Sequence, residues 1–241
     1  VKVVLSLLIL TTNLLAQFLR DTNGDGIVSI VAFGDSITAG VGDSQGLGGY
    51  PGRLENYFNI PVSNRGVAGE RLLVGGLQRF PGVVLSSSAD IVIILEGAND
   101  AIFRESQSAY RKALQRLINV AKALGKDVVV GATQKPCCNK GDRGLFTDVY
   151  AKVARELSVI NEAPLADFDL AWKTTCKNKE QCELYVLPEG LHPNKTGYDV
   201  MAQVVAAALL GIDIFSPTGP TELEDALDLP KGSVIVKGVS E

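Results

Sequence analysis

Three short runs rich in Val and Ile, residues 27–33, 90–95 and 127–131, recur along the chain with helix-like segments between them. Apolar residues at successive positions over so few residues suit strands buried on both faces. Residues 108–124 place Leu114, Leu117, Ile118, Ala121 and Leu124 at helical spacing and stop at Gly125, a C-terminal cap signal. Residues 149–160 and 195–210 read as further helices, and 164–170 as a fourth core strand. This alternation demands a mainly parallel sheet with helices on both sides, a three-layer αβα sandwich of the α/β class. Open sheets of this kind collect ligands at the carboxyl ends of their strands. Ser36 and Asn99 fall there.

The 241 residues, 46% hydrophobic and 21% charged, suit one globular domain, which the pattern places at residues 21–211. A net charge of -4 argues against a nucleic-acid partner, which would want a basic face. At the N-terminus, Lys2 precedes an apolar run from Val3 to Leu10 broken only by Ser6. Residues 1–20 therefore read as a secretory signal cut near Ala16, or as an N-terminal helix packed on the domain or resting on a membrane. The run is too short for a stable membrane span. A secreted or periplasmic location follows from the first reading. Cys137, Cys138, Cys176 and Cys182 match no common zinc spacing, and no histidine lies near them. Two disulfides, with three possible connectivities, are expected in an exported chain, against four idle thiols in a cytosolic one. Residues 212–230, rich in Pro, Thr and acids, read as a surface tail. Residues 232–239 add an edge strand, or the whole 212–241 segment is disordered.

Chemistry concentrates at two places. Ser36 lies in Gly34-Asp35-Ser36-Ile37-Thr38, directly after the first strand-like run. The chain's one histidine lies in Glu189-Gly190-Leu191-His192-Pro193-Asn194. A serine hydroxyl needs a base to take its proton during attack, and a carboxylate that fixes the imidazole improves that base. Glu189, three residues before His192, lies on the same side of a helical turn. The oxyanion that forms needs fixed donors. The candidates are the backbone N–H of Ser36, the backbone N–H of Gly66 and the side-chain amide of Asn99. The Gly-x-Ser-x-Gly elbow of the other large hydrolase fold is missing from the end of every strand-like run, since Gly42-Asp43-Ser44-Gln45-Gly46 begins nine residues beyond the first run. So is the glycine-lysine loop of a flavodoxin-like nucleotide binder.

Four blocks in order resemble the SGNH (GDSL) hydrolase family: Gly34-Asp35-Ser36-Ile37-Thr38, Asn64-Arg65-Gly66-Val67-Ala68-Gly69, Gly97-Ala98-Asn99-Asp100 and Glu189 to Asn194. The similarity runs from about Ile27 to Leu210 and includes Tyr50-Pro51 and Gly197-Tyr198. It implies the flavodoxin-like SGNH fold and a serine ester hydrolase with no metal or organic cofactor. Ser36 would be the nucleophile, His192 the base, and Ser36, Gly66 and Asn99 the oxyanion hole. The family usually has aspartate where this chain has Glu189, so the triad acid is the one departure. Gly66 to Gly69 and Gly75-Gly76-Leu77 look most like the lysophospholipase, thioesterase and arylesterase branch, which takes short to medium acyl esters. The alternatives are a secreted carbohydrate acetylesterase and, from another class, a non-catalytic binding protein on the same scaffold. The substrate partner is thus a small-molecule, lipid or carbohydrate ester. Asp35, Leu72, Leu73 and Phe103 are candidate pocket residues, with Asp35 and Asp100 also expected to hold their turns.

A second signal is Asp21-Thr22-Asn23-Gly24-Asp25-Gly26, which has the oxygens and glycine that begin a calcium loop. Ala32 stands where the bidentate glutamate should be, so Asp21, Asn23 and Asp25 are a weak candidate beside a plain polar turn.

Overall fold

The computed structural model describes residues 18–137, 147–176 and 182–236. The expected signal segment up to residue 17, Cys138 and residues 237–239 lie outside them.

In chain order the elements are β1 (Ile30–Gly34), α1 (Ser36–Ala39), α2 (Tyr50–Phe58), β2 (Val62–Gly66), a π-helical turn (Leu72–Gly76) running into α3 (Leu77–Leu85), β3 (Ile91–Leu95), α4 (Ala98–Ile102) and α5 (Gln107–Ala123). Then come β4 (Asp127–Ala132), α6 (Thr147–Ile160), β5 (Leu165–Asp167), α7 (Phe168–Thr175), α8 (Lys195–Leu210) and α9 (Gly219–Ala226). The five strands form one parallel sheet in the order β2-β1-β3-β4-β5.

Strand side chains alternate between the two faces, and the buried residues sort accordingly. Ile30, Ala32, Ile91, Ile93 and Val129 join a core closed by α2, α7, α8 and α9. Val31, Phe33, Val92, Ile94 and Val130 join a second core closed by α3, α5 and α6. Both faces are covered, which is why β1 and β3 are apolar at every position instead of every other one. The expected three-layer α/β/α sandwich is the observed one.

Three elements differ from expectation. β2, Val-Ser-Asn-Arg-Gly, is an edge strand paired only with β1 and partly exposed, so it carries no apolar run. The fourth core strand is shorter than residues 164–170, because Asp167 accepts the Leu170 N–H at 3.0 Å and starts α7. Residues 212–236 are not a loose tail, and within them there is no edge strand. α8 has twelve of its sixteen residues buried, so its outer side also needs cover. Ile212, Ile214, Leu223 and Val236 supply it, and Gln203 of α8 accepts the Ile235 N–H at 2.9 Å.

Ahead of β1, the Asp21 carboxylate accepts the N–H groups of Gly24 and Gly26, Asn23 Oδ1 that of Asp25, and Asp25 Oδ1 that of Ile27. The loop oxygens offered as calcium ligands close polar turns on their own backbone, and Asp90 ties the segment to the sheet through Thr22, Asn23 and Ser29.

Candidate active site

In a 2-1-3-4-5 sheet the chain leaves β1 and β3 in opposite directions, which opens a crevice at their carboxyl ends. Ser36 is the second residue after β1 and Asn99 the fourth after β3. Asp35 caps α1, its Oδ1 accepting the Ile37 N–H at 2.9 Å, and so fixes the turn that carries Ser36. Asp35 is itself 1% exposed. Burial, opposed by the Ile37 N–H and reinforced by Asp100 and Glu70, pushes its carboxyl up to about 7.

His192 reaches the same crevice on the loop between α7 and α8. Asn194 anchors that loop: it caps α8 through the Gly197 N–H and donates to the carbonyls of Glu183 and Tyr185. His192 Nε2 lies 2.9 Å from Ser36 Oγ, and His192 Nδ1 lies 2.6 Å from Glu189 Oε1. The second carboxylate oxygen of Glu189 accepts the N–H groups of His192 and Leu191, at 2.8 and 3.1 Å. Partial burial pushes the Glu189 carboxyl up, but those two N–H groups and the imidazole outweigh it and hold it below its usual range. An ionised Glu189 only accepts, so Nδ1 carries the proton and Nε2 is free to accept from the Ser36 hydroxyl. The extra methylene of glutamate still lets its carboxylate reach the imidazole.

The oxyanion donors need one correction. The Gly66 N–H is already bound to Asn64 Oδ1 at 2.9 Å, so it is not available to a substrate. Gly66 is a packing glycine: a Cβ there would stand 2.1 Å from the Ala39 nitrogen. Gly69, three residues on, has the opposite character. Its φ is +78°, a side chain there would meet nothing within 4 Å, and its N–H has no acceptor among the described residues. The turn it belongs to abuts Asn99, whose Nδ2 donates to the Glu70 carbonyl at 2.9 Å. The other Asn99 hydrogen has only a long 3.3 Å contact with Asp35 Oδ2. The Ser36 N–H likewise has no acceptor among the described residues. Sequence alone offers two glycines three apart; only the Asn64 side chain tells them apart.

The candidate pocket residues separate. Leu72 is fully buried in the core under α3, and Asp35 is buried beneath Ser36, so neither lines an accessible pocket. Leu73 is partly buried against the same core. Phe103 is 62% exposed, with the Arg71 guanidinium 4.5 Å above its ring. Asp100, as expected, holds a turn: it accepts the N–H groups of Leu72 and Leu73.

Arg53 carries a role that sequence reading missed. Its buried guanidinium pairs with Asp43, on the loop after Ser36, and with Asp199 of α8, and so locks the serine loop to the helix that follows the histidine loop. A cavity of about 370 Å³ bounded by Trp172, Tyr185, Cys137 and Lys135 adjoins the histidine loop, but neither Ser36 nor His192 lines it. Beside it, Cys176 and Cys182 have Cα atoms 5.2 Å apart, within disulfide reach.

Residues 32–200 match the model of the GDSL-like lipase/acylhydrolase family. An arylesterase of Vibrio mimicus is 28% identical over 159 residues, covering 65% of this chain and 74% of the relative. An acetylxylan esterase of Xylanibacter ruminicola is 27% identical over 217 residues, covering 76% of this chain but 43% of that longer protein. Among solved structures, a lipase/acylhydrolase from Enterococcus faecalis superposes with a TM-score of 0.63 at 25% identity, covering 77% of this chain and 96% of that one.

Proposed function

We propose, for a chain that belongs to the GDSL-like lipase/acylhydrolase family and is a carboxylic ester hydrolase, that Ser36, His192 and Glu189 are its catalytic triad and that short to medium acyl esters are its substrates. The relay of 2.6 and 2.9 Å contacts from Glu189 through His192 to Ser36 is the observation that carries this reading.

Ser36 Oγ attacks the acyl carbonyl carbon while its proton passes to His192 Nε2. Glu189 steadies the imidazolium that forms. The negative charge on the carbonyl oxygen is met by the N–H groups of Ser36 and Gly69 and by the Asn99 amide, which exchanges its long contact to Asp35 for the oxyanion. The imidazolium then protonates the departing alkoxide, and the Ser36 acyl ester remains. Water, deprotonated by His192, attacks that ester, and the acid leaves as Ser36 regains its proton.

Acyl character is supported by the rim. Val41, Leu47, Val67, Phe103 and Leu187 are exposed apolar residues, all on loops at the carboxyl edge of the sheet. A second reading, a carbohydrate acetylesterase, is supported by the acetylxylan esterase relative. Pairing of Cys176 with Cys182 fits an exported enzyme working in an oxidising compartment. No helix among the described residues is long and apolar enough to cross a membrane.

The test is hydrolysis of p-nitrophenyl esters from acetate to palmitate by the wild type and by Ser36→Ala. Activity at intermediate chain lengths that disappears in the variant is expected. Activity confined to acetate would favour the carbohydrate acetylesterase, and activity that survives in the variant would remove Ser36 from the mechanism.

A further inference from the structure

Beneath the oxyanion donors lies an acidic side chain that the acyl-transfer steps leave unused. Glu96, the residue before Gly97, is 1% exposed, and among the described residues no N–H or O–H donor faces either of its carboxyl oxygens. What faces it is another carboxyl, that of Glu70: a Cβ on Gly75 would stand 2.9 Å from Glu70 Oε1 and one on the adjoining Gly76 3.6 Å from Glu96 Oε1. Both carboxyls thus abut the same turn, within hydrogen-bond reach of each other and with Asp35 and Asp100 close enough to repel Glu96. Two ionised carboxylates do not share a dry contact; one of them holds a proton. The ion pair of Glu70 with Arg79 decides which, since among the described residues no cation pairs with Glu96. Burial, reinforced by Asp35, Glu70 and Asp100, accordingly holds the Glu96 carboxyl well above the usual range.

The partner of that proton is well placed to matter. Glu70 closes the turn that contains Gly69, its N–H bonded to the Val67 carbonyl at 3.1 Å, and its own carbonyl receives the Asn99 amide. Arg79 extends the same anchor to the strand ends: it donates to the Arg65 carbonyl and lies 4.0 Å over the Phe33 ring. On the other side, the Tyr110 hydroxyl donates to the Glu96 backbone carbonyl at 2.9 Å and fixes the end of β3.

We propose that Glu96 is a positioning residue for the oxyanion site, donating a hydrogen bond to the Glu70 carboxylate and so fixing the turn that presents the Gly69 N–H and holds the Asn99 amide. The inference rests on the oxyanion reading above. An un-ionised acid at Glu96 completes the Arg79–Glu70 anchor; an ionised one would drive Glu70 away and carry the turn with it.

The experiment compares wild type, Glu96→Gln, Glu96→Leu and Asn99→Ala on p-nitrophenyl acetate, with melting temperatures and the infrared carbonyl stretch of un-ionised carboxylic acid at neutral pH. Glu96→Leu keeps the volume without a donor and is expected to lose about 10- to 100-fold in kcat, with KM within about threefold. Glu96→Gln restores a donor and is expected to return kcat to within about threefold of wild type. It should also lose an un-ionised acid band that the wild type shows. Full activity in Glu96→Leu, equal losses in both Glu96 variants, or a wild type without that band would each overturn the proposal. If Glu96→Leu does not fold, the kcat and the infrared band of Glu96→Gln decide. Full activity in Asn99→Ala would sink the oxyanion reading and this inference with it; impaired Asn99→Ala beside unimpaired Glu96→Leu would sink this inference alone.

Discussion

Glu189 addresses His192 twice, with Oε1 on the imidazole at 2.6 Å and Oε2 on the backbone N–H of the same residue at 2.8 Å. A carboxylate pinned in this way holds both the ring and the turn that carries it. Glu189→Gln puts an amide where two acceptor oxygens are needed, so the tautomer that leaves Nε2 basic is no longer favoured. A loss of about 10³- to 10⁴-fold in kcat is expected. Glu189→Asp keeps the charge but shortens the arm, so it can serve the ring or the backbone but not both well; about a tenfold loss is expected. Equal, small losses in the two variants would show that the acid is dispensable or lies elsewhere.

Ser36→Ala removes the proposed nucleophile while leaving the surrounding turn intact, because Asp35 makes the α1 cap with its own side chain. Turnover of p-nitrophenyl acetate should fall by at least about 10³-fold. The melting temperature should move little, since the Ser36 hydroxyl has a single partner among the described residues, His192. A large fall in melting temperature would point to a structural serine instead.

The two glycines of the second block separate by experiment. Gly66→Ala forces a methyl group to 2.1 Å from the Ala39 nitrogen, against backbone that cannot retreat without moving α1. Its expected effect is on stability, a loss of more than about 3 kcal/mol read by denaturant unfolding. Asn99→Ala, which deletes a proposed oxyanion donor, is expected to cost about 10²- to 10³-fold in kcat. A stable Gly66→Ala with kcat lowered as far as Asn99→Ala would restore Gly66 to the oxyanion hole.

How far the sequence could be read follows where each signal lives. The strands buried on both faces announce themselves as apolar runs, and α5, α6 and α8 by spacing and caps, so the sandwich was legible. β2 was not, because a half-exposed edge strand such as Val-Ser-Asn-Arg-Gly has no reason to be apolar. Leu72 looked like a pocket residue from its place after the second block, but the π-helical turn rotates it into the core. The cover over α8 did leave a trace: residues 200–210 are apolar all round apart from Gln203, and such a stretch of helix must be buried on every side. Ser36, His192 and Glu189 were legible because the serine follows a strand and the other two share one loop. The Gly66 N–H was lost to Asn64, two residues before it, in a local turn that a match to the block's glycine alone does not reveal. Glu96 gave no signal either, since its meaning depends on Glu70 and Arg79 meeting it in three dimensions.

Asp35 makes stability depend on pH in a direction that can be checked. Its carboxyl is pushed up to about 7 in the folded protein, chiefly by burial, whereas the unfolded chain leaves it near 4. Between those values the native state holds a proton that the unfolded state has released, so raising the pH favours unfolding. This part of the stability is fully present below about pH 4 and is lost as the pH rises through about 7. Asp35→Asn stays neutral throughout and keeps an oxygen to accept the Ile37 N–H, so the α1 cap survives. The melting temperature of the variant relative to wild type should therefore be more favourable at pH 8 than at pH 5. Glu96 adds a slope of the same sign in both proteins, weaker in the variant because Asp35 no longer repels it, which moves the difference the same way. Glu189, held low, adds stability that is lost only as the pH falls through its folded value and is common to both. A melting-temperature difference that is flat from pH 5 to pH 8, or that runs the other way, would show that Asp35 is ionised in the folded enzyme.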